Sequence, residues 1–561
     1  MKRFFGFFCV LLTLAVSSSV FQSLVSADSG PKLFINGSIY IDAGQKVQNL
    51  LIRNGSVEAY NVEPSLYKDA EIVDLNGAAA YPGFNDSHVH LAETGYFFHV
   101  GANLIGCKNA DDIVKVLEEK VKGLPANATV FGGGFSLRDY DKWTLEDLAK
   151  IDKVTGDRPA FLADKLGHNA IINSATIKLS GMTAATDIPL GGKMGVKNGQ
   201  LTGMLRESAM ILPWDHIATL FNKQGMKDGA MLLAQDWASK GYTGVVDLMG
   251  GPGVRYMHPE IFWELEKEGK LPLRVNYCYT IFNLGDVDDA AKYIGKDTEQ
   301  THFVGCKIFV DGAFAGGQAW TTWQNLQGGH GLQEIYTDDI GGPGLNLNRI
   351  VAKVEEYGMN MHYHTQGDMA IGAVLDALDK KRAGKGQIKG IHTLIHLAFP
   401  TDEQIARIKG FNGHVIATVQ PGFWPIEDDT AYYYGDRAAQ SYPVKKIIDS
   451  GVSAGMSTDF SVSPPQYTPP TVIMGVAVTG GGNPAMHPPL TVKDMIKGFG
   501  EGSARTTGKK DLGRLDIGYK ADMVIFDQDM YNVSKEAFSR TNPKVLATYV
   551  GGVKMYDAGK K

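Results

Sequence analysis

The 561-residue sequence predicts an α/β fold: a (β/α)8 TIM-like barrel with a β-sandwich domain formed by both chain ends and an insertion after barrel strand 1. Three observations predict it. Short β-rich runs alternate with helical patterns through the middle of the chain, which is the element pattern of such a barrel. From the second run onward, the runs start mostly about thirty residues apart, the length of one strand–helix repeat. Both ends of the chain are β-rich and carry tight-turn residues, and domain termini often lie close together in space.

The first residues have a character of their own. Met1-Lys2-Arg3 is basic, residues 4–16 are apolar, and Val25-Ser26-Ala27 offers small side chains where a signal peptidase reads. That is the pattern of a secretory signal over residues 1–27, with cleavage expected after Ala27 and delivery to the periplasm or the exterior. The rival, an uncleaved anchor, needs a longer apolar run, and no later segment supplies one, so no stable membrane insertion is expected after cleavage. Lys plus Arg number 55 against 61 Asp plus Glu, a net charge of −6, and no basic block stands out. A nucleic-acid partner is therefore not expected. Four cysteines exclude a disulfide scaffold. After cleavage Cys107, Cys278 and Cys306 remain, as free thiols or with at most one bridge.

Residues 28–83 and 506–561 are expected to form the sandwich. Segments 32–40 and 51–60 each place apolar residues around an Asn-Gly pair, which supplies the positive φ angles of a tight hairpin turn. Both segments therefore read as hairpins. Segments 521–527 and 545–556 are β-rich, the latter broken by Gly551-Gly552.

Residues 84–505 are assigned to the barrel. Its β-rich runs are 81–86, 242–248, 273–280, 303–310, 359–364, 392–396, 414–419 and 452–457, with helical patterns such as 111–122, 225–240 and 347–357 between them. The interval between the first two runs holds roughly a hundred residues too many for one repeat. An inserted subdomain is placed there, at about residues 125–220, on the face where barrel active sites are built.

Candidate ligands recur at that face. His88 and His90 follow Pro82-Gly83-Phe84-Asn85-Asp86-Ser87, and side-chain alternation points both imidazoles to one side. They read as half of a metal site or as two ordinary barrel histidines. Lys307 lies among apolar strand residues, where an ammonium is costly. It is neutralised as a carbamate, snorkels to the surface, or pairs with Asp311. His364, His396 and Asp459 end the fifth, sixth and eighth runs. Six candidate ligands converging on one rim are hard to explain by packing.

These residues resemble the metal-dependent amidohydrolase superfamily, and within it amidohydrolase family 3, the YtcJ-like proteins and N-substituted formamide deformylases. The segment from Pro82 to His90 is similar to the superfamily's first-strand signature. Lys307 with Asp311-Gly312, His364-Thr365-Gln366-Gly367-Asp368, and Ser457-Thr458-Asp459 with Pro464 resemble the motifs of strands 4, 5 and 8. Gly167-His168-Asn169 and Asn173-Ser174 are similar to the branch's inserted region. Ile395 stands where the branch usually has Glu, Gln366 where an aliphatic is usual, and Gln318-Ala319-Trp320 departs from the usual continuation. These changes lie beside the ligands, so they bear on substrate more than on metal.

The resemblance implies a divalent metal, zinc before Mn²⁺, Fe²⁺ or Ni²⁺, at His88, His90 and Asp459. It also implies a second metal at His364 and His396, bridged by Lys307 if that lysine is N6-carboxylated; a mononuclear variant stays open. The implied reaction is hydrolysis of the C–N bond of a small amide or cyclic amide by an activated water, with Asp459 as proton shuttle. A deaminase, an ester, lactone or organophosphate hydrolase, and a non-catalytic envelope binding or regulatory protein are the alternatives. A homodimer is left open. His168, Gln420 and Trp320 are substrate-contact candidates, and Asn173 either joins His168 or stabilises the insertion. Trp323, Phe423 and Trp424 line a pocket or serve packing, and Cys306 points away from Lys307 into the core.

Overall fold

The computed structural model describes residues 30–137, 139–248, 259–338, 345–384, 386–426 and 430–560. The expected signal segment, 1–27, lies outside them.

Eight parallel strands form the central sheet: β1 (Phe84–Val89), β2 (Tyr242–Leu248), β3 (Arg274–Thr280), β4 (Thr301–Phe309), β5 (Asn360–Thr365), β6 (His392–His396), β7 (Val415–Val419) and β8 (Ala454–Met456). They are ordered sequentially from β1 to β8. Their bounds fall within about three residues of the sequence expectation, because strands buried on both faces read as continuous apolar runs. No ladder joins β8 back to β1 among the described residues. Isolated hydrogen bonds cross that seam instead: Ser87 Oγ donates to the Met456 carbonyl at 3.0 Å, and the Asp459 backbone N–H donates to the His88 carbonyl at 2.9 Å. Gly455 is required there, since a Cβ would lie 2.8 Å from Ser87 Oγ.

Two further sheets draw on both chain ends. One orders Ser56–Tyr60, Leu50–Arg53, Lys32–Ile35 and Glu71–Asp74; the other orders Val553–Asp557, Val545–Val550, Met523–Phe526, Ala79–Pro82, Ser38–Tyr40 and Lys46–Val47. Phe34, Leu50, Ile52, Met523 and Tyr549 form a shared core between them, each worth roughly 1.5–3 kcal/mol on full burial. Asn54-Gly55, both at positive φ, makes the expected hairpin between Leu50–Arg53 and Ser56–Tyr60.

The other expected hairpin does not form. Lys32–Ile35 and Ser38–Tyr40 lie in different sheets, and Asn36-Gly37 is the corner that carries the chain between them. A Cβ at Gly37 would sit 2.5 Å from the Ala78 carbonyl oxygen. Close packing against the strand from Ala79, rather than turn preference alone, places that glycine.

The buried Arg274 guanidinium of β3 donates to both oxygens of Asp522, at 2.7 and 2.9 Å, and so joins the barrel to the terminal sheets. Between β1 and β2 lies a six-stranded mixed sheet running from Ala102–Asn103 to Gln200–Arg206. Its first strand precedes residue 125. Helices Ala110–Lys122 and Leu145–Thr155 pack Ile113, Leu117 and Ile151 against it. Their starts are capped by Asn109 and by the Thr144–Asp147 capping box, which satisfy otherwise orphaned N–H groups.

Candidate metal centre and substrate cavity

His88 is the penultimate residue of β1 and His90 follows the strand, so both side chains reach the C-terminal mouth of the barrel. Their Nε2 atoms are 3.3 Å apart. Asp459 follows β8 with φ at 50°, a strained conformation for a residue with a side chain. Its Oδ1 lies 3.3 Å from His88 Nε2 and 3.4 Å from His90 Nε2. Burial pushes the Asp459 carboxyl upward, but the His90 contact and the charges of His396, His90 and Lys307 outweigh it and hold the group below the usual carboxylate range. Burial, then Lys307 and the neighbouring imidazoles, keep the His88 pKa well below its ordinary value. A neutral imidazole keeps its lone pair for a metal.

Buried Asp459 Oδ1 has no hydrogen-bond partner, although two imidazole nitrogens face it. An orphaned carboxylate oxygen converging with two imidazoles is the donor set a divalent cation fits. These ligand atoms lie within 4.8 Å of one another.

His364 and His396 face the same mouth, with ring centroids 4.7 Å apart. His364 Nδ1 lies 3.1 Å from Asp311 Oδ1. Asp311 is in turn held by the backbone N–H groups of Gln366, Gly367 and Trp320. His396 Nδ1 lies 3.1 Å from Gln420 Oε1, whose amide nitrogen donates to Ser457 Oγ at 2.8 Å. With Nδ1 engaged from behind, Nε2 of each ring is the atom left for the cavity; this is how ligating histidines are commonly oriented. Burial lowers the His396 pKa to about 4, against the opposing charge of Asp459. Lys307 is buried, which lowers its pKa to about 8 against the attraction of Asp459. It neither snorkels nor pairs with Asp311, whose oxygens are occupied elsewhere.

These residues open into one cavity. His88, His90, Lys307, His364, His396, Asp459 and His168 all line it, as do Phe97, Phe98, Trp214, Phe309 and Phe423. Two of the expected substrate contacts do not line this cavity. Gln420 is fully buried behind His396, bonded to that ring and to Ser457, and does not line the cavity. Trp320 also lies outside the lining; its backbone N–H, not its indole, bears on the site through Asp311. Asn173 is structural: it caps Ser174–Ser180 and bonds Ala160 N–H at 2.9 Å. Trp424 stacks on His487, and Trp323 packs edge-on against Phe399. Cys107, Cys278 and Cys306 are buried free thiols. Sequence reasoning missed Glu207 and Glu334 in the cavity wall, and the Asp86 clamp beside His88.

Residues 71–556 match the amidohydrolase family. The chain belongs to that family. Among this amidohydrolase's relatives, YtcJ of Bacillus subtilis is 26% identical over 89% of this chain and 94% of its own length. The N-substituted formamide deformylase of Arthrobacter pascens is 23% identical over 94% of this chain and 98% of its own. A metal-dependent hydrolase of Pyrococcus horikoshii shares the fold at a TM-score of 0.71, with 22% identity, covering 90% of this chain and 99% of that one. The described residues of this amidohydrolase include no helix long and apolar enough to cross a membrane.

Proposed function

We propose that this amidohydrolase is an exported hydrolase that cleaves the C–N bond of a small amide or cyclic amide, with Asp459 as its proton carrier. The observation that carries the reading is the convergence of His88 Nε2, His90 Nε2 and the unpartnered Asp459 Oδ1. His88, His90 and Asp459 would hold one divalent metal, zinc by donor type. His364 and His396 would hold a second, with Lys307 bridging as its N6-carboxylate. A metal held there would supply Lewis acidity toward an amide carbonyl and a water nucleophile.

The chain's residues do the rest. The Asp459 carboxylate takes a proton from the attacking water and hands it to the departing nitrogen. Asp311 and Gln420 fix the rings of His364 and His396. Phe97, Phe98, Phe309 and Phe423 exclude water around an apolar substituent. The deformylase relative supports an amide substrate, and the signal-like pattern of residues 1–27 supports export.

The test is hydrolysis of a panel of N-formyl, N-acyl and cyclic amides by metal-loaded protein. Chelation should abolish turnover and divalent metal should restore it. Asp459→Asn should lower turnover by about 10² or more. Full activity in metal-free protein would falsify the reading.

A further inference from the structure

His168 reaches the cavity from the insertion, between Ala160–Asp164 and Asn169–Ile172. Its ring centroid lies 5.0 Å from that of His364. Glu207 grips it twice: the Glu207 N–H donates to the His168 carbonyl at 2.7 Å, and the Glu207 carboxylate Oε2 holds His168 Nδ1. The other carboxylate oxygen accepts the Ala313 N–H from the segment after β4 at 3.2 Å. Glu207 thus ties the insertion to the barrel through the histidine that faces the substrate space. No described group hydrogen-bonds His168 Nε2, so this nitrogen is the polar atom the ring presents to a cavity that Phe97, Phe98, Phe309 and Phe423 also line.

The backbone singles out the same residue. Among the described residues that are neither glycine nor asparagine, positive φ occurs at Glu207, His396, Leu397, Tyr442 and Asp459. His396 and Asp459 are the candidate ligands, Leu397 follows the first of them, and Tyr442 lines the cavity. Such strain concentrates at functional sites. Glu207, at φ 49°, carries it in the insertion, beyond the barrel's ligand rim.

We propose that His168 is a substrate-positioning residue whose Nε2 hydrogen-bonds the polar end of a small amide, and that Glu207 positions it. The ligand class is a neutral amide or urea with an apolar substituent: the imidazole engages the amide group, and the phenylalanine-rich wall takes the substituent. The inference rests on the amide reading above, and its test does not require turnover.

The probe is N-benzylurea, whose carbonyl is far less reactive toward hydrolysis than an amide's; its binding to the metal-loaded protein is measured by calorimetry. His168→Ala should weaken binding by about tenfold or more, since a site built to hydrogen-bond a ligand loses that contact outright. His168→Gln, whose amide nitrogen reaches the same place, should recover binding to within about threefold, and Glu207→Gln should fall between the two. Metal content should stay at the wild-type level in all three variants, which a merely structural role would not ensure. For any N-acyl substrate turned over, His168→Ala should raise KM more than it lowers kcat. Equal affinity of wild type and His168→Ala, or no binding by wild type, overturns the proposal. Absence of amide hydrolysis with histidine-dependent urea binding overturns the hydrolase reading instead.

Discussion

Asp86 of β1 accepts hydrogen bonds from both the backbone N–H and the hydroxyl of Thr458, at 2.9 and 2.6 Å. The pair bridges the seam where β1 and β8 share no ladder. It stands two residues from His88 on one side and one residue from Asp459 on the other, so it sets the spacing of candidate ligands on two elements far apart in sequence. Trp237 Nε1 donates to the same carboxylate at 3.0 Å. Burial is nonetheless the largest influence on Asp86 and pushes its pKa up to about 6.

Asp86→Ala should leave the Thr458 and Trp237 donors unsatisfied and cost about 3 kcal/mol of stability. Metal affinity should fall by about 10–100-fold, because the ligands it spaces lose their support. Denaturant titration and equilibrium dialysis read the two effects. A variant with unchanged metal affinity would show that the seam does not set the ligand geometry.

Gln420→Leu should keep the fold and weaken metal binding by about 10-fold or more, since His396 loses the acceptor that orients it. Gln420→Glu, which keeps an acceptor at Nδ1, should recover most of the affinity. Equal metal binding by wild type and the leucine variant would assign Gln420 to packing alone.

Asp522→Ala should destabilise the protein by about 3 kcal/mol, because the buried Arg274 guanidinium loses its bidentate carboxylate and keeps the more exposed Glu299 as counter-charge. Adding Arg274→Met should return part of that loss, since the poorly compensated charge is then gone. Urea midpoints of the single and double variants decide the matter; a double variant weaker than the sum of the singles would count against it.

Burial, with the charges of Lys509 and Arg274, lowers the His302 pKa from its ordinary value to about 4. Between pH 6.5 and 4 the unfolded chain therefore binds a proton at this position that the folded chain does not. Stability is lost as pH falls through that window. In His302→Gln the slope of unfolding free energy against pH should shrink there by about one proton's worth. An unaltered slope would show that His302 titrates alike in both states.

The barrel was legible in the sequence because its strands are apolar on both faces and recur at the spacing of a strand–helix repeat. The convergence of candidate ligands was legible because His88, His90, Lys307, His364, His396 and Asp459 fall at or near strand ends on the rim where barrel chemistry is built, and they line one cavity there. Gln420 illustrates the limit. Its place after β7 marks it as close to the site, but only the packed structure shows that it bonds the back of His396 and lies outside the cavity lining. Glu207 had no local signal: its partner His168 is 39 residues away, joined to it by antiparallel pairing of Asn169 with Arg206.

By itself, then, the sequence determined the elements and the chemical type of the centre, since periodicity and residue identity are local properties. Tertiary structure decided which sheet Asn36-Gly37 turns toward, how the seam between β1 and β8 is closed, and which polar side chains face the cavity and which brace the ligands behind it. Those outcomes depend on contacts between residues distant along the chain, and no window of sequence contains both partners.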